Sequence, residues 1–154
     1  MKTKPIILLL FATMAMGCAK TAKTQSTENV QVTKIYNLVI LDQSGSMMPL
    51  REVAVQGYNE ILDVIRKAQN DHNLEQQNLV TLALFNHHLT KVFDCDTVKN
   101  MPNLLLDNYR SDGMTAMLDA IGISLVQLKA HLNRLENATA VVTIISDGME
   151  NASI

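Results

Sequence analysis

Four short apolar runs and two amphipathic stretches follow one another along the chain from residue 35 onward. The apolar runs predict strands at Ile35–Leu41, Leu79–Phe85, Leu89–Phe93 and Ala140–Ile145. The first run is apolar on both faces, which is typical of a central parallel strand covered by helices. The second and third runs are separated only by Asn86-His87-His88, a turn that predicts an antiparallel hairpin.

Both amphipathic stretches repeat apolar residues at helical spacing. The first begins near Pro49, which suits the first turn of a helix. Its apolar face consists of Ala54, Tyr58, Ile61, Leu62, Ile65 and Ala68. The second follows the polar loop Asp107–Gly113. Its apolar face consists of Leu118, Ile121, Gly122, Leu125, Leu128 and Leu132.

The order strand, helix, hairpin, helix, strand predicts a three-layer, Rossmann-like α/β fold. Its central sheet is expected to be mostly parallel, with one antiparallel edge strand and helices on both faces. Right-handed crossovers place the first strand beside the fourth. Such sheets bind ligands at the carboxyl ends of their strands, where Asp42 and Asp147 stand in this chain. We therefore expect both carboxylates in one crevice.

The N-terminus has the pattern of a secretory signal peptide, predicted over residues 1–17. A basic start precedes an apolar stretch of 13 residues, which is shorter than the roughly 20 residues of a membrane-spanning helix. Ala15-Met16-Gly17-Cys18 resembles a bacterial lipobox, whose cysteine is lipidated, although Ala15 to Gly17 would also suit ordinary signal peptidase. The resemblance implies an exported protein that is lipid-anchored in the bacterial cell envelope, at the periplasmic face or the cell surface.

Composition supports one folded domain behind this anchor. Residues 18–34 are predicted as the lipidated Cys18 and a flexible polar tether, and residues 35–154 as the domain. The chain has 154 residues, 47% hydrophobic and 18% charged, as globular proteins do. Its net charge of −2 argues against a nucleic-acid partner. Lipidation would leave Cys95 without a disulfide partner, and its acidic neighbours argue against a reactive thiol.

Oxygen-bearing side chains gather at the predicted crevice. Asp42, Ser44 and Ser46 alternate along one turn, so their side chains can point the same way. Thr115 opens the second helix behind a glycine, and Asp147 follows the fourth strand. Two carboxylates and three hydroxyl groups suit a hard cation, and Mg²⁺ in particular because it retains water ligands. Mn²⁺ and Ca²⁺ stay open as alternatives.

These segments together resemble the metal ion-dependent adhesion site of von Willebrand factor type A domains. The resemblance rests on Asp42-Gln43-Ser44-Gly45-Ser46, on Met114 to Gly122 around Thr115, and on Ser146-Asp147-Gly148. It implies that Ser44, Ser46 and Thr115 contact the metal, and that Asp42 and Asp147 bind it directly or through water. An acidic side chain of a protein partner would complete the coordination. The resemblance also implies further strands and helices beyond the fourth strand, so residues 35–154 are expected to be the N-terminal two thirds of the domain.

Other functions have weaker support in the sequence. A helix cap or a turn explains Asp42 or either serine alone, but it does not explain three converging loops. A serine nucleophile would be expected in a Gly-x-Ser-x-Gly turn, and the chain has none. Phosphatases with an Asp-x-Asp string would need an acid where Ser44 stands. We therefore expect no enzyme. The alternative is a scaffold subunit of an envelope assembly, in which the metal only stabilises the fold.

Overall fold

The computed structural model describes residues 32–71, 75–133, 138–148 and 150–154. The predicted signal peptide, Cys18 and the tether up to residue 31 lie outside these residues. Within the described residues, no helix has the length and apolar character needed to cross a membrane.

The described chain forms four strands and two long helices. The strands are β1 (Thr33–Asp42), β2 (Gln76–Phe85), β3 (Leu89–Thr97) and β4 (Ala138–Ile145). The helices are α1 (Arg51–Gln69) and α2 (Met117–Leu132). Short 3-10 turns occupy Gly45–Leu50, Val98–Asn100 and Leu106–Asn108. The predicted α/β class and order of elements are confirmed.

The sheet has the strand order β3-β2-β1-β4. β1 runs parallel to both β2 and β4, while β3 pairs antiparallel with β2 at the edge. The central position of β1, its place beside β4 and the antiparallel edge strand are therefore as predicted. β1 begins at Thr33, before the predicted strand start at Ile35, because Thr33 and Lys34 already pair with Gln76 and Gln77 of β2. Backbone pairing continues where the apolar pattern stops.

The two helices lie on opposite faces of the sheet. Val39 and Leu41 of β1 belong to the core that contains α1, and Leu38 and Ile40 pack with Ala120 of α2. Alternate residues of a strand face opposite sides of a sheet, so the apolar run of β1 supplies both layers.

The apolar face predicted for α2 is partly wrong. Ala120 and Ser124 are its buried residues, whereas Leu118 and Leu125 are 61% and 42% exposed. The helix has apolar side chains on nearly every side, since its residues Ile123 and Val126 are exposed as well. Periodicity along such a helix cannot identify the side that meets the sheet.

β3 continues beyond the predicted end at Phe93, as far as Thr97. Its pairing with β2 is irregular between Val80 and Ala83, and Cys95 has a φ of 57°. The Cys95 backbone N–H donates to the Thr81 hydroxyl at 3.0 Å, so at this point a side-chain acceptor takes the place of a backbone carbonyl in the pairing of β3 with β2. Burial, followed by the charge of Asp94, raises the pKa of the Cys95 thiol. Asp94 is one of the acidic neighbours that the sequence shows beside Cys95, and burial is the larger of these two causes.

Candidate metal centre

Asp42 ends β1 as a fully buried carboxylate. Its Oδ1 accepts the backbone N–H of Ser44 at 2.8 Å, and its Oδ2 accepts the hydroxyl of Ser146 at 2.7 Å. The hydroxyl oxygens of Ser44 and Ser46 lie 3.1 Å apart. We call Asp42, Ser44, Ser46 and Ser146 the oxygen cluster. It joins the ends of β1 and β4, as the sequence predicts.

The loop before α2 lies against the loop after β1. The Asp112 N–H donates to the Gln43 carbonyl at 2.9 Å, and the Gly45 N–H donates to the Gly113 carbonyl at 3.0 Å. These backbone bonds bring the segment that contains Thr115 to the oxygen cluster, although more than sixty residues separate Thr115 from Ser46 in sequence.

A third loop, after β2, supports the same segment and was missed at the sequence level. The Asn86 side chain donates to the Asp112 carboxylate at 3.0 Å, and the Asn86 carbonyl accepts the Ala116 N–H at 2.8 Å. Gly113 has a φ of +74°, and a Cβ there would lie 2.5 Å from Nδ1 of His87. Gly113 therefore permits both this backbone conformation and the close approach of the turn after β2.

Thr115 is buried and lies two residues before α2 begins. Its backbone N–H donates to Oδ1 of Asn151 at 2.8 Å, and its carbonyl accepts the N–H groups of Asn151 and Ala152 at 3.0 and 3.1 Å. The segment after β4 therefore fixes the backbone of Thr115. The sequence pattern singled out Thr115 but gave no functional role to Asn151.

Asp147 is half-buried and directly follows Ser146, whose hydroxyl bonds Asp42. The Gly148 N–H donates to the same Ser146 hydroxyl at 3.0 Å, which turns the chain at this point. The charges of Asp42 and Asp147 both act on the Tyr109 phenol. Both predicted carboxylates are therefore at the same edge of the sheet.

Tyr109 contacts the oxygen cluster through the backbone of Asp42. The sequence predicted this residue only as part of a polar loop. Its side chain is completely buried, and its hydroxyl donates to the backbone carbonyl of Asp42. Burial, with smaller contributions from neighbouring charges, raises the pKa of Tyr109 to about 12. Arg51 of α1 donates to the carbonyls of Tyr109 and Leu106 and so holds this loop against the helix. An isolated aromatic residue among polar neighbours gave no periodic signal.

The donor set fits a hard divalent cation better than a soft one. Asp42, Ser44, Ser46, Thr115 and Asp147 offer oxygen atoms alone. Among the described residues, no three His, Cys, Asp or Glu side chains form a metal-binding group, so the set depends on hydroxyl groups as well as carboxylates. Each Asp42 oxygen accepts one hydrogen bond and has a further lone pair, which suits contact through water.

Other candidate residues lie around this edge. His87 and His88 are exposed in the turn after β2, with ring centroids 4.2 Å apart. Met47 fills the core, whereas Met48 and Met114 are 55% and 56% exposed. The methionines at this edge are thus divided between the core and the surface, and Met149 lies outside the described residues.

Comparison with known proteins adds no family assignment to this geometry. No protein-family model matches the chain, and no curated protein matches it either.

Proposed function

We propose that the chain is a membrane-tethered module of the von Willebrand factor type A kind that binds a protein partner through a divalent cation. Ser44, Ser46 and Thr115 would hold the cation, together with Asp42 and Asp147. The cation is Mg²⁺ in this proposal, with Mn²⁺ and Ca²⁺ as alternatives. The predicted lipidation of Cys18 would anchor the module in the bacterial cell envelope.

The convergence of three chain segments on buried oxygen atoms carries this proposal. The Ser44 and Ser46 hydroxyls meet at 3.1 Å beside a buried Asp42, whose second oxygen bonds the residue before Asp147. A buried carboxylate is costly unless hydrogen bonds or a cation compensate its charge. A helix cap would need one such residue, whereas this arrangement brings oxygen atoms from the loops after β1 and β4 together, with the loop that carries Thr115 bonded against them.

The charge of the site indicates what kind of partner it would bind. Two carboxylates neutralise a divalent cation, and both oxygens of Asp42 already accept hydrogen bonds. A cation that Asp42 contacts only through water would stay attractive to a further anionic oxygen. An exposed Glu or Asp side chain of another protein supplies such an oxygen, so the module would bind acidic protein surfaces and catalyse no reaction.

Cation binding is tested with Asp42→Asn and the matched control Asp63→Asn. An Asn at position 42 can accept the Ser44 N–H and donate to the Ser146 oxygen, so it keeps both hydrogen bonds and removes only the charge. Asp63 pairs with Arg66 on the surface of α1. In thermal unfolding of the detergent-solubilised full chain, Mg²⁺ should stabilise the wild type and Asp63→Asn by about 2.7 kcal/mol at one hundred times Kd. Asp42→Asn should show no such gain, and a wild type indifferent to Mg²⁺, Mn²⁺ and Ca²⁺ would refute the proposal.

Partner binding is tested separately, with the chain immobilised and offered peptides that contain a central Glu or, as the control, Gln. The proposal expects Glu-dependent binding that EDTA and Asp42→Asn both abolish. Capture of envelope proteins that persists in EDTA would instead favour the scaffold alternative. Ester hydrolysis that Ser44→Ala abolishes would favour a hydrolase and contradict the binding module.

A further inference from the structure

The backbone of Thr115 is hydrogen-bonded to Asn151, which lies 36 residues later in the chain. Asn151 accepts the Thr115 N–H through its side chain and donates its own N–H to the Thr115 carbonyl, at 2.8 and 3.0 Å. Thr115 precedes the first residue of α2, so these bonds stand in place of a helical ladder. One residue thus pairs with both peptide groups of Thr115.

This pairing determines where the Thr115 hydroxyl points. Bonds to both peptide groups fix the backbone angles of Thr115, and a β-branched side chain then has few χ1 rotamers available. The side chain is also buried, at 1% exposure, which restricts it further. Loss of the Asn151 side-chain acceptor would leave the Thr115 carbonyl bonded but free the Thr115 N–H, and the direction of the hydroxyl would be less restricted.

Glu150 links the residues after β4 to the first turn of α2 by hydrogen bonds. Its carboxylate accepts the Leu118 N–H at 3.0 Å in the first turn of the helix, and the N–H groups of Ala152 and Ser153 at 2.9 and 2.8 Å. Asp147 lies three residues before Glu150. The described residues after β4 therefore include one proposed metal ligand, Asp147, and bind the backbone of another, Thr115.

We propose that Asn151 is a positioning residue of the metal centre, acting on the cation through the Thr115 hydroxyl. The inference rests on the proposed function and adds to it a residue outside the proposed ligand set. Asn151 links the loop after β4 to the loop before α2, so the two loops present their oxygen atoms as one unit. Supporting residues of this kind typically change metal affinity when they are replaced.

The test measures Mn²⁺ affinity of the full chain in detergent by electron paramagnetic resonance. Asn151→Ala should weaken binding by about tenfold or more. Asn151→Asp keeps an oxygen acceptor for the Thr115 N–H and should bind within about threefold of the wild type. Ser153→Ala is the matched control, because Ser153 bonds Asp119 and Glu150 but not Thr115, and it should stay within about twofold.

A double-mutant cycle with Thr115→Val separates positioning from a general loss of stability. If Asn151 acts through the Thr115 hydroxyl, Asn151→Ala should cause no further loss of affinity once that hydroxyl is gone. An equal loss in both backgrounds, or an unchanged affinity in Asn151→Ala, would overturn the inference while the proposed function stands. A wild type that binds no Mn²⁺ and that neither Mg²⁺ nor Ca²⁺ stabilises would instead overturn the proposed function, and the inference with it. If Mg²⁺ or Ca²⁺ alone stabilises the wild type, the same variants are compared by the stabilisation that this cation gives in thermal unfolding. Asn151→Leu, which has a similar size but no acceptor, takes the place of Asn151→Ala in this cycle if the alanine variant does not fold.

Discussion

Two clusters of polar side chains, each including a residue of β1, show how differently a protein can hydrogen-bond polar atoms in its interior. The oxygen cluster at the carboxyl end combines a carboxylate with hydroxyl groups. The amide cluster, which consists of Asn37, Gln69 and Asn78, lies nearer the amino end. Asn37 donates to the side chain of Asn78 at 3.3 Å and to the Leu79 carbonyl at 3.2 Å, while Gln69 accepts the Asn78 N–H at 2.6 Å.

The difference lies in the balance of donors and acceptors. Each amide side chain carries both kinds of group, so the amide cluster pairs internally and with nearby backbone without any charge. The oxygen cluster contains hydroxyl groups, which also carry both kinds of group, but it adds the buried negative charge of Asp42, which a cation would compensate. Burial of polar residues alone therefore does not indicate a ligand site, and the proposed cation site rests on the buried charge of Asp42 among oxygen atoms.

The largest expected effect in this comparison comes from the amide cluster. Asn37→Val removes the donor that serves Asn78, so the free energy of unfolding should fall by about 2 kcal/mol. Among the described residues, Nδ2 of Asn78 has no hydrogen-bond partner, so Asn37→Val/Asn78→Val should recover most of that loss. Urea unfolding with and without Mg²⁺ measures both variants. The gain from Mg²⁺ should be unchanged in each, and its disappearance would show that the two clusters are coupled.

A smaller effect is expected from the support beneath the oxygen cluster. Tyr109→Phe removes the hydroxyl that bonds the Asp42 carbonyl and should lower the free energy of unfolding by about 1 kcal/mol. Tyr58→Phe is a close control, because Tyr58 is equally buried and its hydroxyl has no partner among the described residues. Burial raises the pKa of both phenols to about 12. Urea unfolding should show Tyr58→Phe as stable as the wild type or more so; equal losses would mean that the bond to Asp42 adds nothing.

The sequence was sufficient to predict the order of the strands and helices and to suggest the proposed ligands. Four apolar runs identified the four strands. The turns that follow the first and the last run placed Asp42 and Asp147 at the carboxyl ends of β1 and β4. The face of α2 was not predictable, because Leu118 and Val126 make the helix apolar on nearly every side. Which residues meet the sheet is decided by the position of the helix in three dimensions.

The residues that support the site were missed for a related reason. Tyr109, Asn86 and Asn151 stand in polar loops, where no periodic pattern indicates burial or contact. Their roles depend on hydrogen bonds across 26 to 67 residues of sequence. Residue type and local spacing can suggest a ligand, but the residues that hold a ligand in place are recognised only when the loops are seen together.

Glu150 gives the smallest expected effect, and one that depends on pH. Hydrogen bonds from the N–H groups of Ala152, Leu118 and Ser153 lower the pKa of this exposed carboxyl from 4.5 to about 2. Because the folded chain favours the ionised form, the stabilisation is present above pH 4.5 and is lost as the pH falls toward 2. The difference in free energy of unfolding between the wild type and Glu150→Gln, measured in EDTA, should therefore shrink across that interval. A difference that stays constant from pH 6 to 2 would mean that the carboxylate does not hold the residues after β4 on α2, and that the Thr115 loop depends on its other hydrogen bonds, including those of Asn151.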